Sequence, residues 1–173
     1  MHAADASLPT DGKPPGGDLE VRDAAVGDLP RLVDIENRVF RGDRLTRRAF
    51  RHLLTRAHAI NLVAESGIDV VGYVTVLLRR GSRGARVYSL AVDPRWQGRG
   101  VGTRLLEIAE SRAAESGCTF IRLEVRADNA PAIRQYVRAG YGEIGVKPAY
   151  YDDGETALRF QKSLAPDKGT QPG

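Results

Sequence analysis

The chain has 173 residues, 42% hydrophobic and 28% charged, with a net charge of +4 and a pI near 9.5. That length supports one domain with its own hydrophobic core and is short for two, and the mild, mostly arginine excess can attract phosphate-rich ligands without specifying nucleic acid. A single cysteine, Cys118, excludes an internal disulfide, no apolar run approaches the ~20 residues that span a bilayer, and no signal-peptide pattern opens the chain, so a cytoplasmic protein without a membrane partner is expected.

Residues 1–17 are rich in Gly, Pro, Asp and Ala without apolar period and read as a disordered leader; 165–173 read as a matching tail. Between them, 18–164 read as one domain. Leu19 to Ala24 predicts a strand. Leu29, Leu32, Val33, Ile35 and Val39 predict an amphipathic helix, with Asp28 as N-cap and Pro30 in its first turn. Thr46 is placed to cap a second helix through Arg56. Ile60–Glu65 and Val70–Leu78 predict two strands joined by a hairpin turn at 66–69, and Arg86–Val92 a third, ended by Pro94.

A glycine-rich loop follows, then a helix over Val101–Ser116 with Leu105, Ile108, Ala109 and Ala113 as its buried stripe and Gly117 at its end. Thr119–Arg126 predicts a strand. Asn129 is a candidate N-cap for a helix that ends before Gly140, and Tyr141–Lys147 and Thr156–Ser163 predict the last two strands. The order β-α-α-β-β-β-α-β-α-β-β implies an α/β fold: a mixed sheet with helices on both faces.

The loop reads Gln97-Gly98-Arg99-Gly100-Val101-Gly102-Thr103. It follows a strand and opens a helix, so it exposes backbone N–H groups at the positive end of a helix dipole, an arrangement that binds phosphate or pyrophosphate. An ordinary strand–helix turn is the plain alternative. A P-loop is excluded because no lysine precedes Thr103. A Rossmann fingerprint fits poorly. Thr103 stands where it wants glycine or alanine, Glu124 lies inside a strand rather than at its end, and four strands precede the loop.

Gln97-x-x-Gly100-x-Gly102 resembles the Q/R-x-x-G-x-G/A signature of the GNAT acetyltransferases. Leu90-Ala91-Val92-Asp93-Pro94 looks like the strand that precedes this loop in the family. Leu123-Glu124-Val125-Arg126-Ala127-Asp128-Asn129-Ala130, Ala132-Ile133-Arg134-Gln135-Tyr136, Ala139-Gly140-Tyr141 and Tyr150-Tyr151 are similar to segments of its RimI branch, the ribosomal-protein alanine N-acetyltransferases. The likeness is strong from Tyr88 to Tyr151 and loose before Arg86. Phe40-Arg41-Gly42-Asp43-Arg44-Leu45 departs from that branch, on the side of the chain expected to face the acceptor.

The resemblance implies the GNAT fold and acetyl-CoA as cosubstrate, with its pyrophosphate on the backbone of Gln97 to Thr103. It also implies that the pantetheine arm pairs like a strand with Leu90, Ala91 and Val92. Asn129 would touch the arm, cap its helix, or both. In the strand, Ile121, Leu123 and Val125 share one face and Phe120, Arg122, Glu124 and Arg126 the other. Glu124 is thus a mid-strand carboxylate that can serve as general base, directly or through water. Its plain alternative is an ion pair with Arg122 or Arg126. Tyr136 matches the family's general acid, against a ring merely packed under its helix. A backbone N–H near Val92 would serve the oxyanion, and Tyr150 and Tyr151 would wall the acceptor site.

Cys118 has no nearby histidine in sequence and reads as packed. His2, His52 and His58 have no metal spacing, and no metal is expected. Trp96 is a packing residue or a lid. Arg41, Arg44, Arg47, Arg48 and Arg51 could steer an acidic acceptor, or form a solvated helix face. The function expected is acetyl transfer from acetyl-CoA to a primary amine, in particular a protein or peptide N-terminus; homodimers are common among such proteins. A small-amine acetyltransferase and a non-catalytic acyl-CoA sensor are the alternatives, and no aromatic-basic or helix-turn-helix pattern supports nucleic-acid binding.

Overall fold

The structure, a computed structural model, describes residues 18–164 and the backbone of His2–Ala3. The rest of the expected leader, and the expected tail, lie outside the described residues. The strands are β1 (His2–Ala3), β2 (Leu19–Asp23), β3 (Ala59–Ser66), β4 (Asp69–Leu78), β5 (Gly84–Val92), β6 (Phe120–Arg126), β7 (Gly142–Lys147) and β8 (Ala157–Ser163). The helices are α1 (Leu29–Val39), α2 (Arg47–Thr55), α3 (Val101–Glu115) and α4 (Ala130–Arg138).

Local chemistry sets most boundaries. Thr46 Oγ1 accepts from Ala49 N at 3.1 Å and starts α2; Asn129 Oδ1 accepts from Ala132 N at 3.2 Å and starts α4. Asp28 does not act as the expected cap of α1. Its backbone is already helical, and its carboxylate accepts from Ala25 N at 2.7 Å and from Arg22 at 2.9 Å, tying off the short turn before the helix. Gly117 and Gly140 follow α3 and α4 with φ of 90° and 95°, a region glycine enters without strain.

The sheet runs β2-β3-β4-β5-β6-β8-β7, antiparallel throughout except between β5 and β6. Two apolar cores flank it. On one face Val101, Leu105, Leu106, Ala109 and Ala113 of α3, with Ala132 and Tyr136 of α4, pack on Leu90, Val92, Ile121, Leu123 and Val125. On the other, Leu29, Leu32 and Ile35 of α1 and Phe50 and Leu53 of α2 pack on Val63, Tyr73 and Ala91. Helices therefore cover both faces, as expected. Gly72 lets α3 approach β4: a Cβ there would stand 3.2 Å from both Leu105 Cδ1 and Val101 Cγ1.

The feature that positions the site is a divergence of the two parallel strands. β5 and β6 pair only at Gly84–Phe120, Ala85–Ile121 and Arg86–Arg122. Beyond Arg86 the strands separate toward their C-terminal ends, leaving a gap between them that the backbone of β1 enters. The backbone of β1 pairs in parallel with Ser89 and Leu90 of β5. That edge thus accepts an extended chain. Ligands of α/β proteins bind outside such strand ends.

Candidate active site

The glycine loop closes the mouth of the gap. Asp93, fully buried, anchors it: its carboxylate accepts from Arg31 Nη2 at 2.6 Å, Arg95 N at 3.0 Å and Arg95 Nη2 at 3.1 Å. Burial pushes this carboxyl up, but the bonds from Arg95 and Arg31 outweigh it and hold its pKa at about 2. Gly98 and Gly100 have φ of 75° and 80°, so the loop uses glycine where other residues are strained.

Gly100 is the N-cap of α3 and has no side chain to satisfy the first turn, which also carries no acid. The first helical bond is Arg104 N to Gly100 O at 3.0 Å, so the N–H groups of Val101, Gly102 and Thr103 lack intrahelical partners. They face a groove of about 300 Å³ bounded by Leu90, Val92, Trp96 and Gln97 on one side and Pro131, Ala132 and Gln135 of α4 on the other. Gln97 donates Nε2 to Val92 O at 3.2 Å, while its Oε1 is buried without a partner. Gly102 admits α4 at close range, since a Cβ would stand 2.9 Å from Gln135 Nε2. Trp96 is a wall of the groove, and the exposed Arg99 guanidinium lies 5.5 Å from its ring centre.

Glu124 points to the opposite face, toward α1 and α2, because its neighbours Leu123 and Val125 enter the α3 core. Its side chain is only 8% exposed. The expected alternative partners, Arg122 and Arg126, are engaged elsewhere: Arg122 donates to Gln161 Oε1 at 2.7 Å, and Arg126 pairs with Asp128 and Asp153. Arg86 instead donates to Glu124 Oε2 at 3.0 Å, and Lys147 Nζ lies 3.6 Å from Oε1. Arg86 Nη2 also donates to Tyr150 Oη at 3.0 Å. Arg86, Lys147 and Asp93 are the site residues that sequence reading did not single out. The Arg86 contact arises from the parallel pairing of two strands distant in the chain, which leaves no local signal.

Tyr136 sits on α4 in the other core, 1% exposed, its ring edge-on to Tyr141 at 5.8 Å. Its hydroxyl makes no hydrogen bond among the described residues. Burial, and then the neighbouring Tyr151, push its pKa well above the ordinary phenol range. The Tyr150 and Tyr151 rings meet edge to face, with centroids 5.1 Å apart, but differ in setting. Tyr150 joins the Arg86–Glu124 cluster. Tyr151 is buried beneath Arg126, with its hydroxyl unpartnered. Asn129 is buried and spends its Oδ1 on the α4 cap. Ala91 turns its side chain into the α1–α2 core, leaving only its backbone for the gap. Cys118 is buried, and burial raises its thiol pKa. Among the described residues no group of three His, Cys, Asp or Glu is arranged to hold a metal, and no helix is long and apolar enough to cross a membrane.

An open helix N-terminus beside a strand edge that pairs with an extended segment suits a phosphate-bearing, arm-like ligand laid across the sheet. Residues 29–141 match the Acetyltransferase (GNAT) family. The chain is 35% identical over 128 residues to the N-alpha-acetyltransferase RimI of Mycobacterium tuberculosis, covering 72% of this chain and 78% of that protein. It is 30% identical over 160 residues to an N-alpha-acetyltransferase of Sulfurisphaera tokodaii, covering 86% and 95%. The crystal structure of the ribosomal-protein-S18-alanine N-acetyltransferase from Escherichia coli matches its fold with a TM-score of 0.78, over 90% of this chain and 100% of that one, at 24% identity. The chain belongs to the GNAT acetyltransferase family and is an acetyl-CoA-dependent N-acetyltransferase.

The groove suits that cosubstrate. The uncapped α3 N-terminus fits a pyrophosphate, the edge of β5 that pairs with β1 fits an amide-containing arm, and Gln97 Oε1, without a donor among the described residues, needs one.

Proposed function

We propose that the enzyme acetylates the α-amine of a protein or peptide N-terminus, by direct attack in a ternary complex. One observation carries the reading: β5 and β6 part beyond Arg86, with the groove on the α3–α4 face and Glu124 on the α1–α2 face. Two reactants approaching from opposite sides would meet where the strands part, the extended arm taking the β5 edge that β1 holds here. The likeness to two N-alpha-acetyltransferases supports the choice of acceptor.

Bound acetyl-CoA supplies an activated acyl thioester. The backbone of Gln97 to Thr103 would hold its pyrophosphate, the edge of β5 at Leu90, Ala91 and Val92 would orient its arm, and Asn129 would touch the arm beside its role as the α4 cap. Glu124 takes the proton of the acceptor ammonium, directly or through water. Arg86 fixes the Glu124 carboxylate in position. A backbone N–H near Val92 donates to the developing oxyanion. Tyr136 gives its proton to the departing sulfur, and its raised pKa keeps the phenol protonated for that task. Tyr150, held by Arg86, lines the acceptor side with Tyr151 beneath it.

The test is CoA release with a panel of N-terminal peptides, polyamines and aminoglycosides, with mass spectrometry of the products. Turnover of peptides with acetyl on the α-amine is the expected result; turnover confined to small amines would overturn the acceptor assignment.

A further inference from the structure

The acceptor face holds more positive charge than catalysis requires. Arg159 of β8 lies directly opposite Glu124 in the β6–β8 ladder, so the two side chains share a face. Arg159 is half-buried, yet it makes no ion pair among the described residues. Arg86 and Lys147 flank the same carboxylate at 3.0 and 3.6 Å. Three cations thus surround one anion. None of the acids of the adjoining loops forms an ion pair with Arg159 among the described residues. Asp128 and Asp153 are paired with Arg126 instead. On the same side of the sheet, Arg41, Arg47, Arg48 and Arg51 are exposed and make no ion pair among the described residues, extending the positive field around the entrance.

A half-buried guanidinium beside a reactive carboxylate has two consequences. It offers a forked donor to a second carboxylate, and it repels a cationic group placed next to the reacting amine. We propose that Arg159 and Lys147 select acceptors carrying a carboxylate within the first three residues of the N-terminus, while Arg86 remains committed to Glu124 and Tyr150. This rests on the reading of the acceptor as a peptide N-terminus. It sets the enzyme against N-termini followed by Lys or Arg.

The test compares kcat/KM for peptides that begin with Ala and carry Glu, Gln or Lys at positions two and three. Free glutamate and a polyamine are included as further acceptors. The expected order is Glu, then Gln, then Lys, with Glu over Lys by about tenfold or more, the scale of one charge-assisted contact at a half-exposed site. Arg159→Glu should invert the order. Lys147→Glu, on the more exposed strand β7, should shift it the same way and serves if Arg159→Glu fails to fold. Equal rates for Glu and Lys peptides, or an order unmoved by both reversals, would overturn the carboxylate selection and leave the N-terminal reading standing. Turnover of free glutamate but of no peptide would keep the selection and overturn that reading. Turnover of the polyamine alone would overturn both.

Discussion

Replacing Asp93 with Asn removes the fully buried carboxylate that ties the glycine loop to Arg31 of α1. The fold holds this group's pKa at about 2 against an ordinary 3.8, a difference of about 2 units. Each unit is worth ~1.4 kcal/mol, so the ionised group stabilises the folded state by roughly 2–3 kcal/mol at neutral pH. The sign follows from the depressed pKa. The contribution is complete above about pH 5 and fades as pH falls through 3.8 toward 2. Asp93→Asn should therefore lower stability by about 2–3 kcal/mol at pH 7, or roughly 4–12 °C in Tm for a domain of this size. The gap between variant and parent should narrow progressively at pH 3 and below. Urea unfolding at pH 7, 5 and 3 measures both quantities. A variant equally stable at pH 7, or a deficit that persists undiminished to pH 2, would refute the electrostatic account of the anchor. Acetyl-CoA affinity should fall as well, because Arg95 and the turn that leads into Gln97 lose their tether.

Gly100→Ala has steric room but must adopt φ near 80°, so it should cost ~1 kcal/mol and weaken acetyl-CoA binding; an unchanged Tm and Kd would count against the role of that backbone. Tyr136→Phe should lower kcat by about 100-fold with little change in acetyl-CoA Kd, and the parent enzyme should show no alkaline loss of kcat from this phenol below pH 10. Tyr150→Phe breaks the bond to Arg86 and should raise the acceptor KM several-fold while sparing acetyl-CoA binding; an unmoved KM would remove Tyr150 from the acceptor wall.

Elements written in local chemistry were legible in the sequence. Thr46 and Asn129 cap their helices because a hydroxyl or amide oxygen one residue before an apolar stripe has few other uses. The loop at Gln97–Thr103 stood out through its glycines, and the structure shows why two of them are needed, at positive φ. Asp28 looked like the same kind of cap but serves Ala25 and Arg22 instead, a choice that depends on a strand lying beside it. Glu124 could be placed on its face by alternation alone. Its partners could not, since Arg86 reaches it through the brief parallel pairing of β5 with β6 and Lys147 through β7 beyond β8. The family resemblance implied an arm pairing with Leu90, Ala91 and Val92, but not where the gap begins. The gap exists because the pairing of β5 with β6 stops at Arg86, and no residue pattern within either strand announces where two distant strands part.

The most direct test of the catalytic account is kcat/KM of Glu124→Gln on an N-terminal peptide, with acetyl-CoA Kd measured on the same preparation. The account predicts a loss of about 100-fold or more in kcat/KM, the scale of general-base catalysis, with Kd unchanged because the groove lies on the other face of the sheet. Full kcat/KM in the variant would contradict Glu124 as the base.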